Sequence, residues 1–210
     1  DRLRLAVVTP WFGENLTGGA ERTAFQIASG LAGRGHGVQV ITTRAAGFGA
    51  DWGTDAHPSG SSTSNGFIVH RFPVDARDRD AFDRANAILL ARPVSYYRAG
   101  GAIEPDVENA FLASGINSSA ALEAVREAAR DVDAVLVLPY PYGLTIASVS
   151  AAGTRAIMQP CLHDEAYAYL SAVEDAFRKA GTLLFNTAAE RRTACRIYGP
   201  AIDLKSAVVG

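Results

Sequence analysis

The 210-residue chain carries 20 Lys and Arg against 22 Asp and Glu, a formal charge of −2, and it is 48% hydrophobic and 20% charged. Such a composition belongs to an ordinary globular chain able to bury one large core or two small ones. Its basic residues are scattered rather than striped, which argues against a nucleic-acid groove, and no apolar run approaches the roughly 18 residues of a membrane helix.

No signal peptide is visible. The sequence opens at Asp1 and its only methionine is Met158, from which a longer native protein is expected. Cys161 and Cys195 each lack a CxxC partner. Two isolated thiols point to a reducing, cytoplasmic setting.

Short β-branched runs alternate with longer helical patterns. Leu3 to Thr9, LRLAVVT, reads as a central strand apolar on both faces. Ala20, Ala24, Ile27, Ala28 and Leu31 then form a helical stripe closed by Gly35. Gly37 to Thr43 is the next strand, which completes a right-handed βαβ unit. Pro58 to Gly66, PSGSSTSNG, reads as a flexible loop, and Phe67 to Phe72 as a strand. Arg77 to Arg92 predicts a helix with Phe82, Ala85 and Leu89 on one face. Pro93 to Gly115 reads as irregular, part of an insertion over the sheet at about 44–116.

Regular alternation then returns. Asn117 is placed to cap a helix carrying Leu122, Val125 and Ala129 inward. Asp133 to Pro139 reads as a strand, Gly143 to Ser150 as a short helix and Thr154 to Pro160 as a strand. A helix from Tyr167 to Lys179, a strand from Thr182 to Asn186 and a helix from Ala188 to Tyr198 follow. The final SAVVG adds a last strand. The sum is a single α/β domain: a Rossmann-like, doubly wound, mainly parallel sheet of about seven strands.

Gly18 and Gly19 lie where the first strand hands over to the first helix, with Glu21 in the opening turn. Two readings stand side by side. A helix N-terminus presents unpaired N–H groups and a partial positive charge, and two residues without Cβ let an anionic or sugar ligand approach. Alternatively, the glycines only permit a tight turn and Glu21 complements the helix dipole. Gly13-x4-Gly18 has the spacing of a P-loop, but Gly19 and Ala20 replace its Lys and Ser/Thr. No G-x-G-x-x-G is present and no acid follows the second strand at Thr42, Thr43 and Arg44, so an NAD site is weakly supported.

A second station is QPCLHDEAYAY, Gln159 to Tyr169, just past a strand's C-terminal end, the edge where open α/β sheets bind ligands. His163, Asp164 and Glu165 crowd it with titratable groups suited to sugar hydroxyls. The competing reading has Asp164 or Glu165 capping the next helix and His163 packed against it. One His with two adjacent acids is a poor zinc set. His36 and His70 read as structural, and His57 as solvated. Asn186 and Thr187 end the last full strand at the same edge, with Thr187 as a plain helix cap and Glu190 one turn on.

VVTPWFGENLTGGAERTAFQIASGLAGRGHGVQVIT resembles the opening of retaining family-4 glycosyltransferases, in which a Gly-Gly-x-Glu turn leads a helix ending in a Gly-His-x-Val turn. QPCLHDEAYAY and LLFNTAAERR are similar to two later stations of the same N-terminal half. The resemblance implies a GT-B fold, two Rossmann-like domains around a cleft, and transfer of a sugar from a nucleotide-sugar donor with retention and without a metal or other cofactor. By that resemblance His163 is the catalytic contact to the transferred sugar. Gly18, Gly19, Glu21, Asp164, Glu165, Asn186 and Glu190 border donor phosphate or acceptor. The acceptor is then a sugar or lipid-linked alcohol, with room for peripheral contact at the cytoplasmic face of a membrane, although no basic amphipathic helix here demands it.

The family's Glu-x7-Glu pair belongs to its C-terminal domain, and no two glutamates here stand eight positions apart. The chain therefore reads as the acceptor-side N-terminal half, with its partner domain missing and no turnover of its own. The competing reading is a free-standing Rossmann-like binding or partner-subunit module without catalysis. Tyr96 and Tyr97 either stack on a sugar or simply cover the sheet, and covering is the plainer reading.

Overall fold

The computed structural model describes residues 2–14, 16 and 18–210; Asn15 and Thr17, inside the glycine turn, lie outside the described residues. In chain order the elements are β1 (Arg4–Val8), α1 (Gly19–Gly33), β2 (Gly37–Thr43), β3 (Gly60–Ser64), β4 (Phe67–Phe72), α2 (Arg79–Leu90), α3 (Val94–Arg98), α4 (Pro105–Ala113) and α5 (Ser119–Asp131). Then come β5 (Ala134–Val137), α6 (Gly143–Ala152), β6 (Ala156–Met158), α7 (Ser171–Lys179), β7 (Thr182–Phe185), α8 (Ala188–Tyr198) and β8 (Ser206–Val208).

One eight-stranded sheet runs in the order β3-β4-β2-β1-β5-β6-β7-β8. Every neighbouring pair is parallel except β3 with β4. From β1 the chain steps one way to β2 and later the other way to β5, β6, β7 and β8. Right-handed crossovers therefore place α1 on one face and the later helices on the other. Ala24 and Ala28 of α1 pack with Val7, Val40 and Leu136. On the opposite face Leu89, Val125, Leu144, Phe177 and Tyr198 pack over Val8, Val137, Met158 and Phe185. Ala6, Val7 and Val8 of β1 are fully buried, as a central strand covered on both faces requires.

The sheet has eight strands rather than about seven, because the expected loop at Pro58–Gly66 contains the edge strand β3. Asn65 and Gly66 both take positive φ, 47° and 81°. That is the hairpin turn favoured by an Asn-Gly pair, and it folds a Ser-rich stretch of low β-propensity against β4 with Ser61 opposite His70. The expected irregular run at Pro93–Gly115 is two helices, α3 and α4. Pro105 sits at the first position of α4, where a missing N–H costs nothing. Ser118, not Asn117, caps α5, accepting from the Ala121 N–H. Asn117 instead donates to the Leu112 and Ala113 carbonyls at the end of α4. The expected helix from Tyr167 divides into a 3-10 turn, Ala166–Tyr169, and α7, separated by the extended Leu170.

Candidate functional site

Gly18 is the extended N-cap of α1. Glu21 reaches back so that its Oε2 accepts from the Gly18 N–H at 2.8 Å, while its Oε1 accepts from the Phe48 N–H at 3.2 Å. The side chain is buried. Glu21 was expected to border the ligand; here it ties the helix tip to the loop after β2, and one negative charge already sits at that tip. Gly19 differs from its neighbour. A Cβ built there meets no heavy atom of the described residues within 4 Å, and Gly19, Ala20 and Thr23 line a cavity of about 760 Å³.

The facing wall comes from the exits of β5, β6 and β7. Because β1 and β5 are adjacent in the sheet while their connections run in opposite directions, the loops after them part, and the gap is a topological switch point. Pro139, Tyr140, Pro141 and Tyr142 line it beside Cys161, His163, Glu165 and Asn186. The Leu138–Pro139 and Tyr140–Pro141 bonds are cis. Tyr140 is buried and donates to Glu165 Oε1 at 2.5 Å. Burial first, then the Glu165 carboxylate, push its phenol far above the usual range, so it remains a protonated donor that orients Glu165. Asn186 Oδ1 accepts from Gln159 Nε2 at 2.7 Å. Burial pushes the Cys161 thiol up as well.

His163 is exposed at the end of this loop. Among the described residues no side-chain hydrogen bond engages its imidazole, and the residue lines the same cavity. Its position depends on a strained neighbour. Cys161 takes φ 55°, a left-handed conformation costing about 1 kcal/mol outside glycine. Glu190 holds the turn: buried, it accepts from the Leu162 N–H and the Asn186 N–H, both at 2.7 Å. Thr187 caps α8 by accepting from the Glu190 N–H, as its sequence position indicated. Glu190, expected to bind ligand, thus spends both oxygens on backbone.

Asp164 and Glu190 line a neighbouring hollow of about 400 Å³ beside Cys161, His163 and Asn186. Asp164 accepts from Arg98 and Arg196, both through Oδ2 at 2.5 Å, and from the Tyr169 hydroxyl at 2.9 Å, and it does not line the large cavity. Burial acts to raise its carboxyl. The bonds from Arg98, Tyr169 and Arg196 outweigh that and hold it below the ordinary value. A carboxyl depressed in the folded state adds stability that is fully present above its unfolded pKa, near 4, and is lost as pH falls through the folded value. The stability difference between the wild type and Asp164→Asn is therefore expected to be flat from about pH 7 to pH 5 and to shrink below about pH 4 in urea titrations. Both arginines are half-exposed, which limits the difference to about 1 kcal/mol. A gap that widens on acidification would contradict this account.

The sequence reading missed the cavity's aromatic wall. Phe48 and Trp52 come from the loop after β2, Phe82 and Asn86 from α2, Phe111 from α4, and Tyr142 and Tyr167 from the other side. Phe82 stacks on Phe111 at 5.0 Å and Phe111 on Tyr167 at 5.1 Å, while Trp52 meets Phe82 at 5.3 Å. The one available signal was the i, i+4 spacing of Phe82 and Asn86, which puts an aromatic and an amide on one helical face. Tyr96 and Tyr97 cover structure instead. The Tyr97 hydroxyl donates to the Leu89 carbonyl and that of Tyr96 to the Ala102 carbonyl.

The remaining histidines lie elsewhere. His36 Nδ1 accepts from the Leu3 N–H, and His70 Nδ1 is 2.7 Å from Ser61 Oγ. His57, expected to be solvated, is half-buried, with its backbone bonded to Arg44. Among the described residues no three His, Cys, Asp or Glu side chains converge on a metal position, and no helix is long and apolar enough to cross a membrane.

No family model and no curated protein matches the chain. Solved structures do. An E. coli trehalose-6-phosphate structure bound with UDP-2-fluoro glucose aligns with a TM-score of 0.54 at 13% identity, over 98% of this chain and 48% of that one. A trehalose-6-phosphate synthase studied with bisubstrate glycomimetics for glycosyl transfer with retention gives 0.52 at 13%, over 98% and 48%. The trehalose-6-phosphate synthase OtsA gives 0.51 at 14%, over 93% and 43%. The chain thus spans about half the length of these relatives in shape. At such identities the likeness is one of fold, and the fold is a Rossmann-like half of a GT-B architecture.

Proposed function

We propose that this chain is the acceptor-side, N-terminal half of a glycosyltransferase that moves a sugar from a nucleoside-diphosphate sugar to an acceptor hydroxyl with retention of configuration. One observation carries the reading. The open tip of α1 at Gly19 and the unengaged imidazole of His163 border a single cavity at the sheet's switch point. The UDP-sugar analogue and the bisubstrate glycomimetics of the structural neighbours support a nucleotide sugar as donor.

In this mechanism the anomeric carbon–oxygen bond to the nucleotide diphosphate breaks as the acceptor oxygen bonds to that carbon on the same face, and the acceptor's proton passes to the departing phosphate oxygen, so fixed donors aimed at developing charge matter more than a strong base. The N–H groups at the α1 tip are such donors. His163 meets the sugar being transferred. Glu165, oriented by Tyr140, and Asn186, oriented by Gln159, take its hydroxyls. No metal takes part, and a second domain supplies the nucleotide contacts. The two free thiols suit a cytoplasmic enzyme.

His163→Ala is expected to lower turnover of the complete enzyme about 10²-fold with a melting temperature within about 2 °C of the wild type. Steady-state assay of nucleotide release and a thermal melt check both halves. Unfolding with little kinetic defect would make His163 a packing residue. The isolated 210 residues are expected to release no nucleotide from a UDP-sugar. Robust turnover by them alone would overturn the half-domain reading.

A further inference from the structure

We infer that the acceptor this site takes is an uncharged alcohol or phenol whose hydroxyl is carried on a flat, apolar ring system, and not a phosphorylated sugar. The inference rests on the glycosyl-transfer reading for the word acceptor; the ligand class comes from the outer arm of the cavity.

The first argument is the state of the polar groups there. A sugar ring carries about one hydroxyl per carbon and needs convergent free donors and acceptors along its edge. In this arm few are free: among the described residues Asn86 Nδ2 and the Tyr142 hydroxyl carry no hydrogen bond, enough to meet a single acceptor hydroxyl, and the others are taken. Trp52 Nε1–H donates to the Phe48 carbonyl at 2.9 Å, and the Tyr167 hydroxyl donates to Asn86 Oδ1 at 2.6 Å. Apart from those two groups, the arm is walled by the rings of Phe48, Trp52, Phe82 and Phe111. Phe48 is 59% exposed, a large ring left bare at the mouth of a cavity, where a partner ring would cover it. Aromatic rings at centroid separations of 5.0–5.8 Å offer edges and faces to another flat ring.

The second argument is charge. Among the described residues lining the cavity there is no Lys or Arg, and Glu165 is its one carboxylate. Arg77 lies against Trp52 and Phe82 at 5.3 and 5.0 Å and, with Arg79, lines an adjoining hollow of about 300 Å³ behind Phe48, Trp52 and Phe82, where Asp51 and Asp83 match the two charges. The helix tip, the other anion attractor, is given to the departing diphosphate in the transfer reading and is not left for a phosphate on the acceptor. A phosphate monoester entering this arm would lose its hydration with no cation to meet it.

The test titrates 2-naphthol, glucose and glucose 6-phosphate separately into the chain at neutral pH, followed by calorimetry and by tryptophan fluorescence. Expected is saturable 2-naphthol binding at least about tenfold tighter than that of glucose, with glucose 6-phosphate no tighter than glucose. Trp52→Ala and Phe48→Ala are each expected to weaken 2-naphthol about tenfold, and Trp52→Phe to restore most of it. Phe48 is exposed, so its replacement remains informative should Trp52→Ala fail to fold. Binding of either sugar as tight as 2-naphthol, or naphthol binding indifferent to Phe48→Ala and to any folded Trp52 variant, overturns the inference. No donor is present in these titrations, so the two readings fail separately. Tight 2-naphthol binding in an enzyme without transferase activity removes only the transfer reading. Transfer to glucose without 2-naphthol binding removes only the ring acceptor.

Discussion

Replacing Gly19 by Val is expected to abolish turnover of the complete enzyme while moving the melting temperature of this domain by no more than about 3 °C. A Cβ at this position meets no heavy atom of the described residues within 4 Å, so the fold has room for a branch there. A β-branched residue in the first helical turn costs only a few tenths of a kcal/mol. The space it would fill belongs to the cavity that Gly19 shares with His163. Gly18→Ala should show the opposite pattern. Its Cβ would collide with the Glu21 carboxylate, which must then release the Gly18 and Phe48 N–H groups, at a cost of about 1–2 kcal/mol. Thermal melts of both variants beside their steady-state rates separate a ligand-facing glycine from a turn-forming one. A Gly19→Val protein that melts far lower and still turns over would remove the α1 tip from the site.

Glu190→Ala is expected to be the most destabilising of the substitutions considered, by about 2–4 kcal/mol. Its carboxylate is the acceptor for two backbone N–H groups, at Leu162 and Asn186, both close to buried chain. Removing it orphans both donors and frees the strained turn at Cys161 that aims His163. Glu190→Gln keeps one acceptor oxygen and should lose about half as much. Urea denaturation gives the two values. A loss under about 1 kcal/mol accompanied by a dead enzyme would make Glu190 a ligand contact rather than a support for the turn.

The alternation of apolar runs and helical stripes was legible along most of the chain. Hydrophobic periodicity is a local property and survives in the sequence whatever the rest of the molecule does. The errors fell where a local signal was weak or overridden. Gly60 to Ser64 has the composition of a linker, yet it became an edge strand because Asn65 and Gly66 turn it back onto β4. Pro93 to Gly115 read as irregular and instead holds α3 and α4, with Pro105 at the first position of α4.

The candidate site divides more unevenly. Gly19, His163, Glu165 and Asn186 were expected at the ligand edge and all line one cavity. Glu21, Asp164 and Glu190 are the same residue types in similar places, and their oxygens face the protein's own N–H and guanidinium groups. Nothing in a short motif distinguishes these outcomes, because the partner of each carboxylate stands elsewhere in the chain. Phe48 is 27 residues from Glu21, and Arg98 is 66 from Asp164.

By itself, then, the sequence determined the doubly wound α/β class, the hand of its first crossover and the sheet edge at which the large cavity opens, since these follow from residue periodicity and backbone chirality. Only the tertiary structure decided which carboxylates are free, and which aromatic rings converge from β2, α2, α4 and the β6 exit into one wall. Burial and hydrogen-bond satisfaction are set by residues distant in sequence, and they become definite only when the sheet has brought those residues together.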